Sequence, residues 1–423
     1  MSCIKCGLCL SSCPTFQQTG LERESPRGRV QLIASVAQGV MPLTQGPLAD
    51  TMFSCLDCRA CEVACPSGVP IGRLIEKGRA EVVHLSRRQA AQTPGEQATR
   101  LALQSLIPYP RRLRTLGRLV RWSQRTGLAH WSRHLKFLPE GLRGYAGSLR
   151  RLPSRTGREM LAADPSPVPA PGSPRVDLFL GCVMDVVFGE ANLATKRVLE
   201  RNGCAVSAPL GQVCCGALAV HAGDRDGARA LARTNIDTFL QSDPAYIATN
   251  AGGCGAALLE YPEWFADDPV YRARAERFAE RVRDASQIVE TVGFRPPAGR
   301  FPHTVTYQAS CHLHNVMKVG DTPQRLLQSI AGLIYRPMAD MARCCGSAGI
   351  YNLTHPAMSA QLLARKMADI PPEADIVVTG NPGCWLQLEH GAATSGPPVR
   401  VMHVMEVLAE AYRSEPSAGQ SES

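Results

Sequence analysis

Two runs of cysteine open the chain, Cys3-x2-Cys6-x2-Cys9-x3-Cys13-Pro14 and Cys55-x2-Cys58-x2-Cys61-x3-Cys65-Pro66. Thiolates at these spacings converge on a compact polynuclear centre. Three at two-residue gaps wrap one side of a cube, and the fourth, just ahead of a proline that redirects the backbone, reaches across to the other cube. The spacing assigns Cys3, Cys6, Cys9 and Cys65 to one [4Fe–4S] cluster, and Cys55, Cys58, Cys61 and Cys13 to a second. Two structural zinc knots or a disulfide framework are the competing readings. Zinc sites, however, show two C-x-x-C halves separated by a spacer, not a four-cysteine run closed by proline.

Eight further cysteines fall into two matching sets, Cys182, Cys214, Cys215 and Cys254, then Cys311, Cys344, Cys345 and Cys384. Their offsets are 32, 1 and 39 in the first set and 33, 1 and 39 in the second, which points to an internal duplication. Adjacent cysteines cannot both face one metal atom without strain. They can straddle two irons, or bind in an unusual geometry, so a further iron–sulfur centre is one reading of these sets. Buried small hydrophobes are the other, since free cysteine is among the most buried residue types. The glycine after each pair, Gly216 and Gly346, lets the backbone approach closely. Cys204 has no counterpart and reads as a core residue. His312 and His314 are either ligands or proton carriers near a redox centre, or satisfied structural histidines. Val183 stands where His312 does in the other copy, so the two sites need not be alike. His355 reads as a helix-start residue.

The elements that would position these thiols follow from patterning. Ser25-Pro26 starts a helix whose apolar face is Leu32, Ile33, Val36 and Ala37, and a second helix runs from Ile71 to about Leu85. In the first cysteine-rich copy, a strand at Val176–Leu180 is followed by a helix at Ala191–Asn202, a helix at Ala228–Leu240 and a strand at Tyr246–Thr249. The second copy runs Val305–Gln308, a helix at Pro323–Ile330, a helix at Pro356–Ala368 and a strand at Ile376–Thr379. Alternating strands and helices indicate parallel α/β units, which place their sites at strand ends. The expected class is therefore multidomain, α+β with α/β. A mostly helical, ferredoxin-type bis-cluster domain precedes two duplicated α/β cysteine-rich domains. The boundaries are 1–86 for the cluster domain, 87–163 for a basic helical connector and 164–174 for a stiff proline-rich linker. Residues 175–300 and 301–412 form the two repeats, and 413–423 a polar, disordered tail.

A chain of 423 residues has room for several cores. Its net charge of +9 is uneven: residues 87–158 hold 16 Arg or Lys against Glu96 and Glu140, while the remainder is acidic. Within the connector, Leu113, Leu116 and Val120 share one side of a helix, and Arg114, Arg118, Arg121 and Arg125 line another. Such a face suits an anionic membrane surface or an acidic partner; the plainer reading is a solvated face on a packed helix. Nucleic acid is excluded as a partner by sparse aromatic interleaving and the lack of a binding motif. No apolar run is long enough to cross a bilayer, and no signal peptide is expected ahead of Cys3. Seventeen cysteines without a secretion signal imply a reducing compartment, hence a cytoplasmic chain.

No G-x-G-x-x-G follows a predicted strand, so no nucleotide-type flavin or nicotinamide site is expected. A chain that holds clusters without a hydride-handling cofactor is expected to be an electron-transfer subunit with no catalytic residue of its own.

Several further motifs complete the pattern: Ser25-Pro26-Arg27-Gly28-Arg29, Pro66-Ser67-Gly68-Val69, Cys214-Cys215-Gly216-Ala217, Gly253-Cys254-Gly255-Ala256, Cys344-Cys345-Gly346-Ser347-Ala348-Gly349 and Leu353-Thr354-His355-Pro356. With the two cluster runs, they resemble the iron–sulfur subunits of bacterial glycolate oxidase along nearly the whole chain. Related arrangements occur in heterodisulfide reductase, lactate-utilisation and anaerobic glycerol-3-phosphate dehydrogenase subunits. The resemblance implies FAD-binding partner subunits that oxidise glycolate, or D-lactate, to the 2-oxo acid. It further implies transfer to the quinone pool from the cytoplasmic face of the inner membrane. One departure concerns the C-x-x-C that ends each heterodisulfide-reductase domain, because Ala257 and Gln387 stand where its last cysteine would be. The alternative functions are a thiol or disulfide reductase with the duplicated half itself active, against which the missing fifth cysteines count, a lactate or glycerol-3-phosphate dehydrogenase iron–sulfur subunit, and a scaffold whose clusters only staple the fold.

Overall fold

The computed structural model describes residues 3–42, 48–88, 101–127, 150–394 and 396–416. Among the described residues the N-terminal domain is built from helices α1 (Pro14–Thr19), α2 (Pro26–Ala37), α3 (Leu48–Phe53), α4 (Ala60–Val63) and α5 (Ile71–Arg88). α2 begins where its sequence calls for it, with Ser25 Oγ accepting the Gly28 N–H at 3.0 Å and Pro26 at the first helical position. Its buried face differs from the expected one. Gly28, Arg29 and Val30 are buried, Leu32, Ile33 and Val36 are half-buried, and Ala37 is exposed. The N-terminal half of α2 is the part that lies on the turn Glu22–Glu24 and on Thr15 and Thr51, so burial is concentrated there. Val30, Leu48, Met52, Val69, Ile71 and Ile75 form the small core.

The connector retains two regular helices among its described residues, Pro110–Arg125 and Gly157–Ala163. Residues 89–100 and 128–149 lie outside the described residues. The Pro110–Arg125 helix packs through Leu113 and Gly117, where an added Cβ would lie 2.7 Å from Val186 Cγ1. Leu116 is not on that face: it is 37% exposed, beside the more open Leu119 and Trp122. The glycine allows closer approach than the leucine side would, so the helix is rotated away from the expected Leu113–Leu116–Val120 stripe. Part of the arginine row is used internally, Arg118 reaching Glu159 at 3.4 Å and Arg121 donating to the Ser154 carbonyl.

The two repeats have the same architecture. Strands β1 (Arg175–Phe179), β2 (Ala205–Ser207), β3 (Tyr246–Thr249) and β4 (Val282–Asp284) form a sheet in the order β2-β1-β3-β4. β5 (Thr304–Gln308), β6 (Ile334–Tyr335), β7 (Ile376–Thr379) and β8 (Arg400–His403) form the second in the order β6-β5-β7-β8. Every pairing is parallel. The central strands are buried on both faces, as continuous apolar runs covered by helices require. The short strands β2, β4, β6 and β8 escaped the sequence reading because two to four residues carry too little periodicity. One apolar core joins the repeats, with Val176, Leu178 and Leu199 of the first meeting Val305, Tyr307 and Leu408 of the second.

The first residues of the expected tail are structured. Val404–Arg413 is helical, Ser414 Oγ donates to the Arg300 carbonyl at 2.9 Å and Glu415 pairs with Arg201. Residues 417–423, the rest of the expected tail, lie outside the described residues.

Candidate metal centres

The first eight cysteines gather into two groups of four. Cys3, Cys6, Cys9 and Cys65 line one cavity with Gly7, Arg27 and Val69. Cys13, Cys55, Cys58 and Cys61 line the other with Arg29, Asp57 and Arg59. The crossing arises at the prolines. Cys13 has extended backbone and caps α1, and Pro14 turns the chain into that helix, away from Cys3–Cys9. Between the cysteines the loops enter the left-handed region, at Lys5 and Gly7 in the first (φ 58° and 85°) and at Asp57 and Arg59 in the second (φ 51° and 62°). Those turns point successive sulfurs inward and leave amides facing them: Asp57 N–H lies 3.4 Å from Cys55 Sγ and Val69 N–H 3.5 Å from Cys65 Sγ.

These donor sets fit a polynuclear metal centre. Burial pushes the Cys58 and Cys61 thiols well above the usual range, with neighbouring sulfurs adding to it. Without a cation, four thiolates there would be prohibitive; a metal centre supplies the charge that makes thiolate the favoured form. Each cavity also has a guanidinium beside it. Arg29 is almost wholly buried, with Nη1 3.8 Å from Cys13 Sγ and 3.1 Å from Thr15 Oγ1, and Nη2 2.6 Å from Glu24. Arg27 pairs with Glu22 at 2.7 Å and borders the first cavity. Sequence reasoning attached no role to Arg27 or Arg29; the available signal was Arg-Gly-Arg opening a helix between two cysteine runs.

The duplicated half places each quartet at the carboxyl ends of its strands. Cys182 follows β1 and Cys254 lies in the helix after β3; Cys311 and Cys384 hold the same places after β5 and β7. Cys214 Sγ is 3.6 Å from Cys182 Sγ. The remaining sulfurs continue the chain, Cys214 to Cys215 to Cys254, and Cys311 to Cys344 to Cys345 to Cys384. The residue after each pair, Gly216 or Gly346, is left-handed (φ 86° and 83°), and a Cβ on Gly346 would come within 2.8 Å of the Ser359 carbonyl. Each quartet therefore brings four sulfurs together. The positions without a fifth cysteine are filled by structure: Ala257 is core, and Gln387 donates to Ser359 Oγ at 2.9 Å.

Cys204 is distant from these groups, in the shared core, where burial pushes its thiol up to about 11. His355 precedes the Pro356–Ala368 helix, stacks on Tyr351 and lies 2.9 Å from Thr354 Oγ1. His314 Nδ1 has no hydrogen-bond partner. His312 faces the domain junction: its Nδ1 is 4.0 Å from Cys311 Sγ and its ring stacks on His221 at 5.8 Å. Burial, then the proximity of His221, hold His312 down at about 3, so it is a neutral imidazole.

The second cluster loop sits against the second quartet. Cys58, Cys311 and Cys344 line a common cavity of about 180 Å³, and Asn315 Nδ2 donates to the Cys58 carbonyl at 2.7 Å. Leu56, Tyr351 and Leu362 pack around the same sulfurs.

Comparison with known proteins agrees with this layout. The 4Fe-4S dicluster domain family matches residues 1–69, and the cysteine-rich domain family matches residues 176–259 and 305–389. The family "Glycolate oxidase iron-sulfur subunit, linker region" matches residues 96–148. The chain is 39% identical to the probable glycolate oxidase iron-sulfur subunit of Bacillus subtilis (strain 168), over 97% of this chain and 94% of that protein. It is 31% identical to the glycolate oxidase iron-sulfur subunit of Escherichia coli (strain K12), over 98% and 94% respectively. Lactate utilization protein A of Exiguobacterium sp. (strain ATCC BAA-1283 / AT1b) is 34% identical over 57% of this chain and 99% of its own length.

Proposed function

The chain belongs to the family of glycolate oxidase iron–sulfur subunits, and from that premise we propose that it conducts electrons from FAD-binding partner subunits that oxidise glycolate toward the quinone pool. The observation that carries the reading is the grouping of Cys3, Cys6, Cys9 and Cys65 around one cavity and Cys13, Cys55, Cys58 and Cys61 around another. When bound, [4Fe–4S] centres supply one-electron carriage, which divides the two-electron oxidation of a 2-hydroxy acid into single steps. The chain's own residues hold the centres by eight thiolates and offset their negative charge with Arg27 and Arg29.

The cavity shared by Cys58, Cys311 and Cys344 supports a path that continues from the second cluster to the second quartet. On this reading both quartets are metal sites. The membrane side is served by the connector, whose exposed Leu119 and Trp122 flank the exposed Arg118 and suit a peripheral contact with anionic lipid on the cytoplasmic face. No helix among the described residues is long and apolar enough to cross a membrane. D-Lactate is the second substrate reading, favoured by the similarity to lactate utilization protein A.

Cysteine substitution tests the assignment. In anaerobically reconstituted chain, Cys65→Ser is expected to perturb the centre held by Cys3, Cys6 and Cys9, and Cys13→Ser the centre held by Cys55, Cys58 and Cys61. Each variant should alter one electron paramagnetic resonance signal and spare the other. Zinc in place of iron and sulfide, or both substitutions affecting the same signal, overturns it. Mixing with the flavin subunits and glycolate or D-lactate then reads out the substrate: clusters that stay oxidised with both exclude a 2-hydroxy-acid oxidase.

A further inference from the structure

The junction between the second cluster loop and the first cysteine-rich repeat encloses more acid than base. Arg59 stands where Gly7 stands in the first loop, with the same left-handed backbone that favours glycine. What the arginine adds is a guanidinium that joins two domains. Its Nε is 2.9 Å from Asp57 Oδ1 and its Nη1 3.3 Å from Glu62; its Nη2 is 2.9 Å from Glu76 and 3.2 Å from Glu260 of the repeat. His221 Nδ1 completes the set, 3.1 Å from Asp57 Oδ2 and 3.9 Å from Glu76 Oε1. Asp57, Glu76 and His221 offer the ligand atoms of a cation site, all within 4.8 Å, but Arg59 already supplies the cation there.

Charged and titratable groups face Glu76 from several elements. The cluster loop and α4 contribute Asp57, Arg59 and Glu62; the helix Ala217–His221 contributes His221; the helix Gly252–Trp264 contributes Glu260; and Cys311–Asn315 contributes His312. On α5 itself, Arg79 spends its donors on the carbonyls of Met52, Cys55 and His221. Four carboxylates thus face two guanidiniums in a largely enclosed space. With every acid ionised and both imidazoles neutral, the enclave is doubly negative, so a further negative charge placed beside it favours uptake of a proton. Asp57 is not the acceptor, because its two carboxylate oxygens already face Arg59 Nε at 2.9 Å and His221 Nδ1 at 3.1 Å. Burial, reinforced by Asp57, pushes Glu76 well above that range, and burial likewise raises Glu260.

We propose that the Glu76–Glu260–His221 group takes up a proton when the centre held by Cys13, Cys55, Cys58 and Cys61 takes up an electron. The inference rests on the cluster assignment of the preceding section. Asp57 links the two, since it lines that centre's cavity and contacts His221. One electron enters from the partner's reduced flavin, and one proton enters from solvent by way of His221, whose side chain is 21% exposed, to form an O–H bond on a carboxylate. Oxidation of the centre by the next carrier releases both. The charge of the enclave and centre together is unchanged through the cycle, which lowers the electrostatic cost of a buried extra electron.

The test is potentiometric titration of the reconstituted full-length chain, followed by electron paramagnetic resonance at several values between about pH 6 and 9. The second centre of the wild type is expected to shift to lower potential as pH rises, by close to one proton per electron. Glu76→Gln should remove most of that slope, Glu76→Asp should keep it, and Glu260→Gln should weaken it. A potential that does not move with pH in the wild type overturns the inference, as does an undiminished slope in both Gln variants. If the chain takes up no iron and sulfide, the cluster assignment itself fails and this inference with it. A normal signal with a flat pH profile refutes the proton coupling alone.

Discussion

Gly72→Ala sets two physical effects of opposite sign against each other. Gly72 is the second residue of α5, and its N–H donates to Glu62 Oε1 at 2.7 Å. An alanine Cβ at this position would lie 2.1 Å from Arg59 Nε, 2.2 Å from Cζ and 2.3 Å from Cδ. The Arg59 side chain is only 3% exposed and is held by carboxylates from two domains, so it has no alternative position that keeps its partners. Helix propensity alone favours alanine over glycine by about 1 kcal/mol. Displacing the buried guanidinium leaves enclosed carboxylates unpaired, at a cost on the order of 3–5 kcal/mol. The net expectation is a loss of about 2–4 kcal/mol, read as a lower midpoint in anaerobic thermal unfolding of the loaded chain at a fixed scan rate. Gly78→Ala is the internal control. It lies on the same helix, and its Cβ would meet only the flexible Met52 side chain, at 3.1 Å from Sδ and 3.4 Å from Cγ. That variant should match or exceed the wild type. If Gly72→Ala behaves like Gly78→Ala, Arg59 is not held as described, and the account of the junction is wrong.

Two further substitutions probe other parts of the molecule. Gly28→Ala should cost about 1–3 kcal/mol, because its Cβ would fall 2.0 Å from the Glu22 carbonyl oxygen and force α2 off the preceding turn; an unchanged unfolding midpoint would contradict this packing. Burial pushes Glu406 up to about 7, against the opposing hydrogen bond from the His403 N–H. Its folded value lies above its unfolded value, so the stability it contributes is complete below about pH 4 and lost as pH rises through 7. Glu406→Gln should flatten that part of the stability–pH profile, and a variant profile parallel to the wild type would exclude the effect.

The separation between local and long-range information is visible residue by residue. The two groups of four among the first eight cysteines are the same in spacing and in space, because a loop with two-residue gaps and a following proline leaves its sulfurs few other places to go. The duplication was legible for a similar reason: matching offsets repeat the same strand ends, and the two sheets have the same order. The connector was only partly legible. Its helical period identifies a helix, but Gly117 against Val186, not the leucine stripe, sets which side is buried.

What sequence alone determined is the two runs of thiols, since the spacing of each run is local, while its last cysteine joins the other run only in the folded chain. Tertiary structure alone decided which charges and carbonyls gather around them. Arg59 meets Glu260 across 201 residues, Asn315 meets the Cys58 carbonyl across 257, and Arg29 gathers Thr15, Glu24 and Thr51 around one buried guanidinium. Electrostatic interactions depend on distance in space and on the surrounding dielectric, and neither quantity exists until the domains have packed.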